Sequence, residues 1–295
     1  MEEQKKLSPS AMRMILSMQQ NEITEWATYR GIAAGVKDSH NKDVLLRLAE
    51  EEKTHAGIWQ KYTGKEMKPQ GFKVFWRKLM AKILGFTFVV KLMEKGEEKA
   101  QINYETLAEE VPESTSIKHQ EEAHEQALLA ILDEERLQYV GSMVLGLNDA
   151  LVELTGTLAG LTLAMQNTRL IALSGLITGI SATLSMASSE FLSAKSEGRT
   201  DALKSCTYTG IAYLLTVALL ILPYLLLPNS GFMIALAIML AIVVLIILCF
   251  NYYISVAKDL PFKRRFLEMA CISLGVAALS FVVGLLVKNV LGVDI

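Results

Sequence analysis

Cysteine and histidine are scarce in this chain. The three cysteines, Cys206, Cys249 and Cys271, fall within or beside apolar runs. They show neither a disulfide framework nor a paired metal-ligand spacing, and so read as small apolar packing residues. The four histidines, His40, His55, His119 and His124, all lie in the first half. No secretory signal is visible, because Met1 to Pro9 is charged and polar with no apolar core. The first half is therefore expected to stay in the cytosol. The net charge of −2 leaves no electrostatic footprint for nucleic acid.

Charge itself is sparse in one half. Residues 1–138 carry 20 Lys/Arg and 23 Asp/Glu, whereas residues 139–295 carry 9 and 8. A length of 295 residues suits about two domains. The composition assigns a water-facing domain to residues 1–138 and an apolar one to residues 139–295.

The apolar half holds five runs long enough to cross a bilayer, which takes about 20 residues each. They are expected at Gly141–Met165, Leu170–Leu192, Cys206–Leu227 (ending at Pro228), Phe232–Ile254 and Leu267–Val287. The first two are rich in Gly, Ala, Ser and Thr, which lets helices approach closely in lipid. Lys195, Arg199 and Lys204 fall in the second connection, and Lys258, Lys263, Arg264 and Arg265 in the fourth. The other two connections, Gln166–Arg169 and Asn229–Gly231, share one basic residue. Basic loops face the cytosol, which puts the N-terminal domain there and Ile295 on the far side.

Three carboxylates interrupt the first two spans: Asp149, Glu153 and Glu190. Each costs about 2.5 kcal/mol or more in a bilayer unless it faces a protein interior or a wet path. Asp149 and Glu153 are four apart and share a helix face. Glu190 has a second reading, as an interfacial residue near the cytosolic end.

Residues 9–137 have helical periodicity with little Gly or Pro inside the runs. Helices are predicted over Pro9–Val36, Asn41–Tyr62, Thr87–Glu110 and Thr115–Gln138, with Ser114 or Thr115 capping the last. An internal repeat runs through them. Glu22 is followed seven residues later by Tyr29, then by Glu52-Lys-Thr-His55. Glu97 is followed seven residues later by Tyr104, then by Glu121-Glu-Ala-His124. Residues i and i+3 share a helix side, so each Glu-x-x-His can grip one ion. One Glu from each of two helices and a Glu-x-x-His from each of the other two make a dinuclear carboxylate site in a four-helix bundle.

Neighbouring residues have plainer readings. Glu50, Glu51, Glu122 and Glu125 are expected to be solvated or to flank the ligands. Glu94 reads as a surface charge or an extra ligand, with the first favoured. His40 and His119 lack the geometry for the site. Tyr29 and Tyr104 either hydrogen-bond the ligands or pack in the core. The stretch Gly71–Leu92 mixes Phe72, Phe75, Trp76, Leu79, Ile83, Phe86 and Phe88 with Lys73, Arg77, Lys78 and Lys82. It reads equally as a basic amphipathic helix on a membrane surface or as a connector packed on its own bundle.

The N-terminal half resembles the rubrerythrin/ferritin-like diiron proteins through Glu22, Tyr29, Glu52-x-x-His55, Glu97, Tyr104 and Glu121-x-x-His124. The membrane half resembles the vacuolar iron transporter family through Gly146-Leu-Asn-Asp-Ala-Leu-Val-Glu153 and Ser185-Met-Ala-Ser-Ser-Glu190. Their fusion resembles the bacterial membrane-bound ferritin group. The resemblance implies an all-α protein, a ferritin-like four-helix bundle followed by a five-helix transmembrane domain, in a prokaryotic inner membrane. It implies two iron ions (Fe²⁺/Fe³⁺) per bundle, with Mn²⁺ as the alternative metal. It also implies a homodimer that exchanges Fe²⁺ or Mn²⁺ for protons, using Asp149 and Met186 in the path. Carboxylate oxygen with a thioether suits divalent transition metals. The connection Ser193–Ser205 departs from the eukaryotic pattern of a long acidic segment, having only Glu197 and Asp201 as acids.

Two functions follow as expectations. The first is a metal transporter with Asp149, Glu153, Met186 and Glu190 along the path. The second is a membrane-tethered diiron oxidase or peroxidase with the spans as anchor.

Overall fold

The computed structural model describes residues 7–98, 107–108, 110–117, 119 and 135–291. All regular structure among them is helical. The chain divides into two compact units, Met1–Glu134 and Glu135–Ile295.

The N-terminal unit is built on a hairpin of α1 (Pro9–Ala33) and α2 (Ser39–Thr63). Ser8 caps α1 by accepting from the amide of Ala11 at 3.1 Å, with Pro9 just inside. Asp38 caps α2 by accepting from the amide of Asn41 at 2.8 Å. The helices run antiparallel: Gln19 meets Thr63, and Glu22 meets Trp59. Gly64, at φ +63°, ends α2. Ile15, Met18 and Trp59 form a core with Leu107, Val111 and Ile117. Glu110 fastens that later segment by accepting from the amide and hydroxyl of Ser8 at 2.7 and 2.8 Å.

The expected cap of the fourth helix is corrected. Helical residues begin at 113, so Ser114 and Thr115 lie inside the first turn. The Gly71–Leu92 stretch is not one helix either. It divides into α3 (Gly71–Leu84) and α4 (Phe86–Glu98), separated by Gly85 at φ 100°, ψ 151°. That conformation is open essentially to glycine alone. Beyond the break, Phe88, Val89, Val90 and Met93 of α4 are buried. The helix expected over Thr87–Glu110 is described from Phe86 to Glu98.

The C-terminal unit begins with the short α5 (Glu135–Gln138). Five helices follow that are long and apolar enough to cross a membrane. They are α6 (Val140–Met165), α7 (Thr168–Ser196), α8 (Ala202–Leu226), α9 (Phe232–Ala257) and α10 (Phe262–Leu291). Helix α6 contacts each of the other four. Leu151, Leu154 and Leu158 of α6 pack with Tyr213, Leu220 and Ile221 of α8 and Met239, Val243 and Ile247 of α9. Leu173, Ile177, Ile180 and Leu184 make an outward stripe on α7, a surface suited to lipid.

Glycine sets the closest crossings. A Cβ on Gly146 would lie 2.3 Å from the carbonyl oxygen of Thr209, so α6 and α8 touch through bare backbone there. A Cβ on Gly284 would lie 2.7 Å from the carbonyl oxygen of Gly160, joining α10 to α6 in the same way. Several helices outrun their apolar stretches. Lys195 lies inside α7, and Lys263, Arg264 and Arg265 lie in the opening turn of α10. Helix α8 ends at Leu226 and carries the buried Pro223 inside it.

Candidate functional site

Chemistry-bearing side chains gather in each unit. In the first, Glu22 comes from α1, and Glu52 and His55 from α2. Each offers one ligand atom, and the three atoms lie within 4.8 Å of one another. All three side chains are buried. His55 Nδ1 stands 3.8 Å from Glu22 Oε2, too far for a hydrogen bond. Trp59, one turn beyond His55, donates from Nε1 to Glu22 Oε1 at 3.3 Å. Two carboxylates crowded into a low-dielectric interior repel each other. A divalent cation between them turns that repulsion into attraction, and oxygen with imidazole is a donor set for transition metals. The residues present therefore fit a metal ion.

The other expected ligands are described in part. Glu97 has its backbone in α4, while its side chain lies outside the described residues. Tyr104, Glu121, Glu122, His124 and Glu125 also fall outside them. Tyr29 is buried. Glu94 is buried as well, which corrects the favoured reading of a surface charge. His40 is exposed in the first turn of α2, not in a loop, and His119 is exposed. Glu50 is exposed and Glu51 partly so. Two partners escaped the sequence reading. One is Trp59. The other is Glu25, buried on α1 and paired with Arg77 of α3 at 3.3 Å. Near the 107–117 segment, Tyr62 donates to Glu113. Burial, and then that carboxylate, push the Tyr62 phenol up to about 12.

In the second unit Asp149 and Glu153 lie on one face of α6, the least apolar of the five spans. Asp149 is partly exposed and Glu153 exposed within a single chain. The hydroxyl of Tyr213, from the wholly buried core of α8, donates to Glu153 Oε2 at 3.0 Å. Met186 is partly buried against the core. Glu190, near the end of α7, accepts from Ser142 of α6 at 3.2 Å and from Ser205 of α8. The two serines are themselves 2.7 Å apart. Glu190 thus braces three helices, a role that neither reading of it anticipated. Among the described residues, Asp149, Glu153 and Glu190 do not form one ligand cluster within a chain. Tyr213, Ser142 and Ser205 left no signal in the sequence beyond being polar groups in apolar runs.

The α7–α8 connection is held by Arg199. Its Nε and Nη2 donate to Asp201 at 3.1 and 2.9 Å. That guanidinium, then the Tyr139 hydroxyl, hold the Asp201 carboxyl down at about 2. Asp201 therefore stays ionised well into acid.

Residues 140–202 match the VIT family. The matched segment covers α6, α7 and their connection as far as the first residue of α8. It contains Asp149, Glu153, Met186 and Glu190. The match supports a vacuolar-iron-transporter membrane domain and, at the level of the family, a metal-ion transporter. No curated protein and no solved structure matches the chain.

Proposed function

We propose that the chain is a proton-coupled transporter that carries Fe²⁺, with Mn²⁺ as an alternative cargo, out of the cytosol as a homodimer. The observation that carries this reading is Asp149 and Glu153 on one face of a VIT-family span. Carboxylates at that depth need an ion, a proton or a wet path. Asp149 and Glu153 offer hard oxygen, and Met186 offers the softer thioether. Tyr213 holds one oxygen of Glu153 and leaves the other for an ion or a proton. Glu190 lies toward the expected cytosolic end. The exposure of both α6 carboxylates in a single chain, partial only for Asp149, supports a second copy enclosing that face.

Glu22, Glu52 and His55 would hold one resident iron in the N-terminal unit. Glu97, Glu121 and His124 would hold the other, with Tyr29 and Tyr104 near the ligands in a ferritin-like bundle. The bound pair would supply Fe²⁺/Fe³⁺ redox chemistry, and the bundle would capture, oxidise or sense the metal. The buried Glu22–Glu52–His55 group also favours a second reading, a membrane-tethered diiron oxidase or peroxidase. Five spans that carry acids inside them exceed what an anchor requires, so transport is preferred.

The test is anaerobic Fe²⁺ transport in proteoliposomes with a pH-sensitive dye inside. Wild type is expected to show metal flux with proton counterflow. Asp149→Ala is expected to lose the flux while still binding metal in the N-terminal unit. Wild type that binds metal there but moves none would replace the transporter with the enzyme.

A further inference from the structure

Helix α3 is unlike every other helix of the N-terminal unit for which burial is described, because none of its residues is buried. Phe72, Phe75, Trp76, Leu79 and Ile83 recur at i, i+3, i+4, i+7 and i+11, which places them on one stripe. Phe72 is 81% exposed, Phe75 62%, Trp76 51% and Ile83 63%. Contiguous aromatic surface of this kind on a folded unit marks an interaction face.

The stripe points away from the helix's own support. On the opposite side Arg77 donates to Glu25 of α1 at 3.3 Å from both terminal nitrogens. The stem of Lys78 lies over Gly31 of α1. The preceding loop is fixed too: the amide of Gln70 donates to Thr24 at 3.2 Å, and Gln20 donates to the carbonyl of Lys68 at 2.9 Å. The aromatic face is therefore held outward by a braced helix.

The charge pattern selects the occupant. Helix α3 contains four cations, Lys73, Arg77, Lys78 and Lys82, and no acid. Lys73 and Lys82 are exposed and border the stripe on either side. Their stems can cover the apolar edge while the ammonium groups reach outward. Aromatic and aliphatic residues on one face with lysines along its rim suit the boundary between acyl chains and anionic headgroups. A bilayer is always at hand, since the same chain carries five candidate spans.

We infer that α3 is a membrane-surface helix that seats Phe72, Phe75, Trp76 and Ile83 in an anionic lipid leaflet. The seat holds the N-terminal unit against headgroups at a second point besides its covalent link to the spans. This inference is independent of what the metal sites do.

The test uses the full chain in vesicles whose lipids carry dibrominated acyl chains, which quench tryptophan at short range. The tryptophans are Trp26, Trp59 and Trp76, so the difference between wild type and Trp76→Phe isolates the Trp76 emission. In anionic vesicles the bromolipid is expected to remove most of that emission. The effect should be weaker in zwitterionic vesicles and in Lys73→Glu/Lys82→Glu. Trp76 emission untouched by bromolipid would overturn the inference. If aqueous iodide then quenched it, the face would be solvated; if iodide did not, a protein surface such as a second copy would cover it. Equal quenching with and without anionic lipid would overturn the anionic assignment.

Discussion

A buried hydroxyl is the most informative single group in the membrane unit. Tyr213 is wholly buried and reaches one oxygen of Glu153. A hydrogen bond to a charged group contributes about 1.5–3 kcal/mol, and losing it releases the Glu153 oxygen that Tyr213 holds. Tyr213→Phe keeps the ring and its packing. It is expected to lower the thermal transition in detergent by no more than a few degrees while lowering metal flux about tenfold. Unaltered flux would remove Tyr213 from the path. The sequence exposed the acids and hid their partners for a physical reason. Glu52 and His55 stand three apart on α2, so their shared face follows from local geometry, and Glu22 on α1 is marked by its place in the repeat. Tyr213 reaches Glu153 across 60 residues, and Ser142 and Ser205 reach Glu190 across 48 and 15; nothing local tells a tyrosine that holds a carboxylate from one that only fills space.

At the level of elements, the spans were legible because an apolar run of about 20 residues has few alternatives. Their ends were not, because backbone hydrogen bonding carries a helix past its last apolar residue. Lys195 inside α7 and Lys263 inside α10 show this. The division of α3 from α4 depends on Gly85 taking a conformation that a residue type permits but does not dictate. Crossings between helices were visible only as composition. Gly146 converts that composition into a contact, since its missing Cβ admits the Thr209 carbonyl. Gly146→Ala is expected to force α6 and α8 apart at a cost of about 1–3 kcal/mol, read as a Tm several degrees lower in detergent. Gly141, one helical turn or so earlier with open space around it, is the control, and Gly141→Ala should leave Tm unchanged.

For the whole molecule, two compact units imply two responses to heat. A ligand that binds only the folded N-terminal unit stabilises it by about 2.7 kcal/mol at a hundredfold excess over its Kd. Mn²⁺ is therefore expected to raise the transition of that unit in calorimetry. Glu52→Ala should abolish the shift, and a shift that survives would place the metal elsewhere. The helix at the centre of the membrane unit raises a different matter, the order of its making. Helix α6 is the first of the five spans to leave the ribosome, and it is the least apolar and the most enclosed by its neighbours. Its partner α10, which covers Gly156 and Gly160 through Ser280 and Gly284, is the last. A nascent chain thus carries two acids in a segment poorly suited to lipid until its final span is delivered. A ribosome stalled before residue 262 leaves that seam open, and such a fragment presents its small-residue face to the cell's quality-control proteases.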